Sequence, residues 1–164
     1  WAVNNMLPVI PFIHNGFELG EKNPVNTGLN FTPEQIARLP SENLPLFSEG
    51  MLKWKTPDII CDWKAKVSAI RVKYLDLLSD PAHETVVPWH LGDEKTFVFE
   101  RKNSSARLLV TANGDFKSAK HLEINHNELV PSLTDLFTSE PFVPISGKFK
   151  VELLPGQVRI FEIR

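Results

Sequence analysis

The sequence predicts a chain of two parts, an α/β segment over residues 1–81 and an all-β segment over residues 82–164. Two observations support this division. Before residue 80, a short apolar run leads into a glycine-rich loop and then into one long helical pattern. After residue 80, short β-branched or aromatic runs alternate with turn residues, which is typical of a C-terminal antiparallel β-sandwich.

The first element is an apolar run at residues 9–13, followed by a Gly-x-Glu-x-Gly turn from Gly16 to Gly20. A short apolar run that ends in such a loop predicts a buried parallel strand. A strand that is apolar on both faces needs neighbouring strands on both sides and helices outside them. Because one strand and one long helix cannot close a core, we expect residues 1–81 to be the last βα unit of a (β/α)8 TIM barrel, unstable without the rest of that barrel.

Two helices are predicted in this first part. Thr32 is the N-cap of the first, Pro33 its first helical residue and Gln35 the closing residue of a capping box, and Pro40 ends the pattern. The second helix begins near residues 56–58 and ends near residues 79–81. It buries one face over about five turns, formed by apolar residues at spacings of three or four: Ile60, Trp63, Val67, Ile70, Tyr74 and Leu77.

Seven strands are predicted in the second part, each bounded by turn residues such as Asn113-Gly114 and Pro155-Gly156. They span residues 85–89, 96–101, 107–112, 121–124, 133–137, 149–153 and 158–163.

Composition excludes several classes of function. The formal net charge of −2 gives no electrostatic basis for binding nucleic acid or an anionic membrane surface. No apolar run reaches the ~18–20 residues that cross a bilayer, and no signal peptide is visible, so we predict a cytoplasmic protein. Cys61 is the single cysteine, which rules out an internal disulfide. His121 and His126 are not predicted to bind a metal, because a spacing of five places them on opposite faces of a strand.

Residues 7–20 read LPVIPFIHNGFELG and residues 21–30 continue as EKNPVNTGLN. The first stretch resembles the "PxIxxGxExG" segment of the last barrel strand in the alpha-amylase family of glycoside hydrolases. The continuation is most similar to the glucan-transferring, maltosyltransferase-like branch of that family. Glu18 matches the glutamate of this motif, whereas Phe17 stands where the family often has Gln or Asp.

Further segments extend the resemblance along the chain. AIRVK at residues 69–73 resembles an "IRLRK"-like segment of the eighth barrel helix. RLLVTAN at 107–113, TDLFTSE at 134–140 and VELLPGQVRIF at 151–161 are similar to strands of the family's C-terminal sandwich.

The resemblance implies a retaining reaction on starch-like alpha-1,4-glucans or malto-oligosaccharides, in which an Asp is the nucleophile and a Glu is the acid and base. In the family an "HD"-type motif precedes the last barrel strand, and no His is followed by Asp here. We therefore assign no catalytic residue within 1–164 and expect the catalytic carboxylates upstream of Trp1, so that this chain alone is inactive. Its partners would be the glucan and the N-terminal part of the same enzyme.

The resemblance leaves two points open. Between hydrolysis and glucan transfer, the loop at residues 20–30 favours transfer. No cofactor is implied for this segment, and calcium binding by the full-length enzyme is not readable from it.

Six residues are candidate substrate contacts, each with a structural alternative. Glu18 either contacts substrate, as half of an acid/base pair with Glu21, or pairs with an Arg or backbone amides beneath the active site. His14 either hydrogen-bonds sugar hydroxyls or is a structural histidine. The loop residues face the barrel mouth as sugar contacts or as solvated side chains, and Trp54 is a stacking platform or a loop anchor. The loop residues are Lys22, Asn23 and Asn26.

An alternative function is a non-catalytic carbohydrate-binding or assembly module built on the sandwich. A barrel-like first part argues against it. We also expect residues 82–164 not to bind glucan, because the sequence shows no exposed aromatic pair there. Trp63 is predicted to be core, and Trp89 to lie in the sandwich core or at an interface.

Overall fold

The structure is a computed structural model and describes residues 1–13, 17, 32–38, 61–125 and 132–164. The chain divides into two compact units, one formed by Trp1–Pro11 with Lys64–Arg164 and the other by Phe12–Trp63. In the second unit the structure describes little beyond one short helix and the first turn of another. The prediction of a domain boundary between residues 81 and 82 stays a prediction.

In the described part of the first unit, eight strands form two antiparallel sheets. The larger sheet has the order β1-β2-β3-β8-β5-β6, and the smaller pairs β4 with β7. The strands are β1 Val86–Pro88, β2 Thr96–Lys102, β3 Arg107–Asn113, β4 Lys120–Asn125, β5 Leu133–Asp135, β6 Pro141–Phe142, β7 Lys148–Leu153 and β8 Val158–Ile163. All seven predicted strands are therefore present within a residue or two, except that the fifth ends earlier, and β6 is an addition.

The two sheets pack face to face, as in a sandwich. Their core draws about equally on both sheets, and Trp89 and Phe142 pack against it from partly buried positions. Of the two predicted places for Trp89, the sandwich core or an interface, the structure supports contact with the core. The core residues are Val98, Leu109, Leu133, Phe161 and Ile163 of the larger sheet, with Leu122, Ile124, Phe149, Val151 and Leu153 of the smaller one.

The larger sheet is also buried on its second face. In β2 and β3 consecutive residues are buried rather than alternate ones, which marks strands covered on both sides. Register places Phe99, Val110 and Ile160 side by side on this second face. Helical segments approach it, since α1 contacts β3 and α4 contacts β2.

Four helices lie in the described ranges: α1 Ala2–Met6, α2 Pro33–Ala37, α3 Cys61–Lys73 and α4 Leu75–Leu78. Pro33 is the first residue of α2, as predicted. At this terminus the backbone N–H of Glu34 and the Thr32 side chain donate to the Glu34 carboxylate and lower its pKa. Helix α1 was not predicted.

The long predicted helix is interrupted at Tyr74, where φ −112° and ψ 31° separate α3 from α4. Its predicted inner face is buried at Val67, Ile70, Tyr74 and Leu77, whereas Trp63 is only half-buried. The helical segment ends at Leu78, capped by Ser79, close to the predicted end. Its predicted start at residues 56–60 lies outside the described residues.

The predicted strand at residues 9–13 is wrong for this structure. These residues form no strand, and the side chains of Ile10 and Phe12 are 94% and 87% exposed. Pro8 and Pro11 lack a backbone N–H, and no strand of the described ranges pairs with this segment. A barrel strand gains its hydrogen bonds from neighbouring strands, and the residues that the structure describes show no barrel unit around this segment.

Candidate functional site

The six candidate substrate contacts lie outside the described residues. They are His14, Glu18, Lys22, Asn23, Asn26 and Trp54, and their roles stay predictions. Glu21 lies outside these residues too. The described part of the chain instead defines the junction between the helical segment and the sheet, and the two ends of the sandwich.

The junction is held by Arg101 of β2, whose side chain is completely buried. Its Nη2 donates to the carbonyl oxygen of Leu77 at 2.7 Å and to that of Asp80 at 3.3 Å. Nη2 also lies 3.2 Å from the Thr85 hydroxyl, and Nη1 donates to the Met6 carbonyl at 3.1 Å. One guanidinium thus binds the C-terminal ends of α1 and α4, where helix carbonyls lack intrahelical partners and carry partial negative charge.

The charge of Arg101 is balanced by dipoles rather than by a direct ion pair in the described ranges. Burial lowers the pKa of Arg101, the carboxylate of Asp80 acts to raise it, and the nearby Arg71 lowers it again. An arginine remains charged at such a site because its ordinary pKa lies far above neutral pH. The cation therefore depends on the carbonyl oxygens around it.

A second arginine attaches the first residues of the chain. Arg71 of α3 donates from Nη1 to the Asn5 carbonyl and from Nη2 to the Val9 carbonyl at 3.2 Å. Asn5 is itself buried and donates to the Trp1 carbonyl at 3.0 Å. Arg71 belongs to the AIRVK segment at residues 69–73, and its side chain orients the backbone that leads into residues 9–13.

Glu162 of β8 lies between two polar clefts beside the end of α3. The clefts measure about 340 Å³ and 290 Å³, and Lys73 and Glu162 line both. Arg164 donates to Glu162 Oε2 from Nε at 2.9 Å and from Nη2 at 2.7 Å, and Lys73 Nζ lies 3.9 Å from Oε1. This is an ion-pair centre with both donors and acceptors, suited to polar recognition.

Tyr74 lies against this centre. Burial and the neighbouring Glu162 carboxylate raise the pKa of its phenol, which therefore stays protonated. Burial acts to raise the pKa of Glu162, but Arg164, Tyr74 and Lys73 outweigh burial and lower it. The site thus holds a neutral phenol beside an ionised carboxylate.

At the β5 end of the larger sheet, Asp135 organises a turn. Its buried carboxylate accepts hydrogen bonds from Arg159 Nε at 2.7 Å and from the backbone of Phe137 at 2.8 Å. The Arg159 guanidinium lies 5.1 Å from the ring centre of Phe142 and 5.0 Å from that of Phe161. An Asp at the start of DLFTSE is a recognisable turn signal, whereas nothing in the sequence indicates Arg159 as its partner.

The expectation that the sandwich shows no exposed aromatic pair is wrong. Phe97 and Phe116 are 55% and 83% exposed. The exposure of these two rings is not apparent from the sequence, because Phe97 lies in a β-strand pattern that predicts burial and Phe116 follows a turn.

No metal site is found in the parts of the chain that the structure describes, where no three His, Cys, Asp or Glu side chains could together hold an ion. His121 is exposed on β4, and His126 lies outside those parts. Within the described ranges, no helix is both long and apolar enough to cross a membrane.

Comparison with known proteins rests on structure, because neither a protein-family model nor a curated protein matches the sequence. An alpha-amylase from Anoxybacillus matches over 69% of this chain with a TM-score of 0.55 and 16% identity. An alpha-amylase from Geobacillus thermoleovorans, complexed with acarbose, matches over 70% with a TM-score of 0.56 and 12% identity. AmyP in complex with maltose matches over 63% with a TM-score of 0.52 and 17% identity.

The likeness is one of fold. This chain spans 24%, 25% and 20% of those three structures, between a fifth and a quarter of their length. At identities of 12–17% the match supports a shared architecture for the sheet-rich unit. It does not reach the maltosyltransferase-like branch suggested by residues 20–30.

Proposed function

We propose that this chain is the C-terminal portion of an alpha-amylase-like enzyme that hydrolyses or transfers alpha-1,4-glucan units. The main support for this proposal is the structural similarity to alpha-amylases over about two thirds of the chain. The sequence resemblance at residues 7–20 adds support of a second kind, from motif residues rather than from the fold.

In this proposal the reaction is retaining, and its carboxylates lie upstream of residue 1. An Asp attacks the anomeric carbon to form a glycosyl-enzyme, and a Glu first protonates the leaving oxygen and then activates the incoming water or sugar hydroxyl. Six side chains would supply contacts to the glucan at the mouth of the barrel: His14, Glu18, Lys22, Asn23, Asn26 and Trp54. The loop at residues 20–30 favours transfer, in which a sugar hydroxyl outcompetes water.

The described unit would support the barrel rather than perform chemistry. Arg101 binds the ends of α1 and α4 to the sheet, and Arg71 binds the backbone near residues 5–9. In the full enzyme these contacts would fix the direction in which residues 9–13 leave α1. A displacement of about 1 Å at a catalytic group can cost about 10²-fold in rate, so this support matters for activity.

The test is the product profile of maltoheptaose with two proteins, this chain and the same chain extended upstream to the start of its gene. Activity of the extended protein alone supports the proposal. Longer products would identify a transferase, and shorter products alone a hydrolase. If neither protein changes maltoheptaose, or if the isolated chain acts by itself, the proposal is overturned.

A further inference from the structure

Two exposed phenyl rings rest on neighbouring turns at one end of the sandwich. A Cβ atom at Gly114 would lie 2.8 Å from Cε2 of Phe97, and one at Gly156 would lie 3.0 Å from Cδ1 of Phe116. The backbone N–H of Gly156 donates to the Asp115 carbonyl at 3.1 Å, which joins the two turns. We call this surface, with the exposed Leu154, the aromatic end.

The turns beneath the rings are held by a set of side-chain hydrogen bonds. The buried Asn113 amide donates to the carbonyls of Ser118 at 2.8 Å and Leu154 at 3.0 Å, and its Oδ1 accepts from Asp115 N at 2.8 Å. Gln157 Oε1 accepts from Leu154 N at 2.8 Å. Because both turns are fixed before any ligand arrives, little ordering would be required on binding.

Charged residues of both signs flank the rings in the sequence, since Lys95 lies two residues before Phe97 and Asp115 directly precedes Phe116. Lys95 Nζ lies 3.1 Å from Asp115 Oδ2, and Lys120 Nζ lies 2.7 Å from Asp93 Oδ2. Hydrogen bonds from the Lys117 backbone and from Lys95 lower the pKa of Asp115. The hydrogen bond between Lys120 and Asp93 lowers the pKa of Asp93 and raises that of Lys120. The two ion pairs supply hydrogen-bond donors and acceptors, with no net charge among the four groups.

We propose that the aromatic end is a surface site for alpha-glucan chains, where Phe97 and Phe116 pack against pyranose rings and the flanking ion pairs bind hydroxyls. The identity of the glucan rests on the proposed function. The C–H groups of a pyranose carry slight positive charge and pack on the negative face of an aromatic ring. Its hydroxyls need neighbouring donors and acceptors, which the two ion pairs provide.

The size and place of the surface favour a small ligand over a protein. Two phenyl rings and one leucine expose roughly a few hundred Å² of accessible surface, whereas a stable protein interface buries about 800 Å² on each partner. Phe97 also lies four residues before Arg101 on the same face of β2, about 13 Å from the junction with α4. The aromatic end is thus away from the helix ends that Arg101 holds.

The experiment is electrophoresis of the whole 164-residue chain in native gels with and without amylopectin. We expect amylopectin to retard the chain, and Phe116→Ala and Phe97→Ala each to weaken the apparent affinity by about tenfold. Phe116→Tyr keeps the ring and should retain the affinity. Val143→Ala removes an apolar side chain that is 69% exposed after β6, and serves as the matched control that should leave retardation unchanged.

Three results would overturn the inference. The first is that amylopectin does not retard the chain, and the second is that it retards the chain and both alanine variants equally. The third is that the upstream-extended protein and its Phe116→Ala variant are retarded equally, although the 164-residue chain and its variant differ. The last would mean that the rest of the protein covers these rings. The outcome is separable from the proposed function. Activity on maltoheptaose without the phenylalanine effect would defeat this inference alone, and the phenylalanine effect without activity would defeat the proposed function alone.

Discussion

Arg101 and Leu77 are joined by a 2.7 Å hydrogen bond from the buried guanidinium to the carbonyl oxygen one residue before the end of α4. The same side chain reaches Met6, so three distant positions in the sequence meet at one cation. Arginine suits this position because its planar group presents several donors at fixed angles, which a lysine ammonium cannot reproduce.

Replacing Arg101 with Met should destabilise the protein by about 2–4 kcal/mol, because the carbonyls of Met6, Leu77 and Asp80 would lose their shared donor, and the first two residues are buried. Urea unfolding followed by circular dichroism measures this loss. Lys102→Met, at the exposed neighbouring position, is the matched control. Equal unfolding midpoints for the two variants would contradict the assigned role of Arg101.

Gly114→Ala should destabilise the protein by about 1–3 kcal/mol, since the new methyl group would lie 2.8 Å from the Phe97 ring and 3.1 Å from the Lys95 carbonyl. In a Phe97→Ala background much of this cost should disappear, with a coupling energy of about 1 kcal/mol. A double-mutant cycle by urea unfolding measures the coupling. The same cycle with Phe116→Ala should be additive, and additivity in both cycles would refute the contact.

Glu162→Gln should reduce stability most near pH 7 and progressively less in acid. The pKa of Glu162 is lowered in the folded state, since its ion pairs outweigh the effect of burial, so its contribution is present above the unfolded pKa of about 4.3 and is lost as the pH falls through the folded value. Unfolding midpoints between pH 7 and pH 3 test this, with Glu152→Gln as the exposed control. A stability difference that does not change with pH would disprove the linkage.

The backbone amides of Ile10, Phe12 and Ile13 should exchange rapidly in this chain and slowly in the upstream-extended protein, because a barrel strand gains its hydrogen bonds from neighbouring strands. Hydrogen exchange followed by mass spectrometry of peptides covering residues 7–13 provides the measurement. Peptides from β3, buried on both faces, are the internal reference. Protection of residues 9–13 in the isolated monomeric chain would count against a missing barrel.

The strands of the sandwich were predictable because their information is local. Each run of β-branched and aromatic residues is bounded by turn residues such as Asn103, whose carboxamide oxygen accepts from the backbone of Ser105 at 2.9 Å. β6 is only two residues long, too short for any alternation to register. Helix α1 has five residues and no side-chain cap, which leaves nothing periodic to detect.

The remaining errors concern partners, which a pattern does not specify. The apolar run at residues 9–13 indicates burial without saying which chain segment buries it. Arg101 follows Phe97 to Glu100 in a strand, where a cation is expected to face solvent, and only the packing of α1 and α4 over that face makes it internal. The exposed rings of Phe97 and Phe116 reverse the same rule, because large apolar residues are expected inside.

The place of β8 has a consequence for biosynthesis. This strand, Val158–Ile163, lies between β3 and β5 and is the link through which the two halves of the larger sheet are joined. While residues 158–163 are still within the ribosome, strands β1 to β3 cannot hydrogen-bond to β5 and β6, and both groups have unpaired edges. Unpaired edges of apolar strands can pair with the wrong partner. A chain that lacks this strand would therefore be degraded rather than accumulate as a slightly shortened protein.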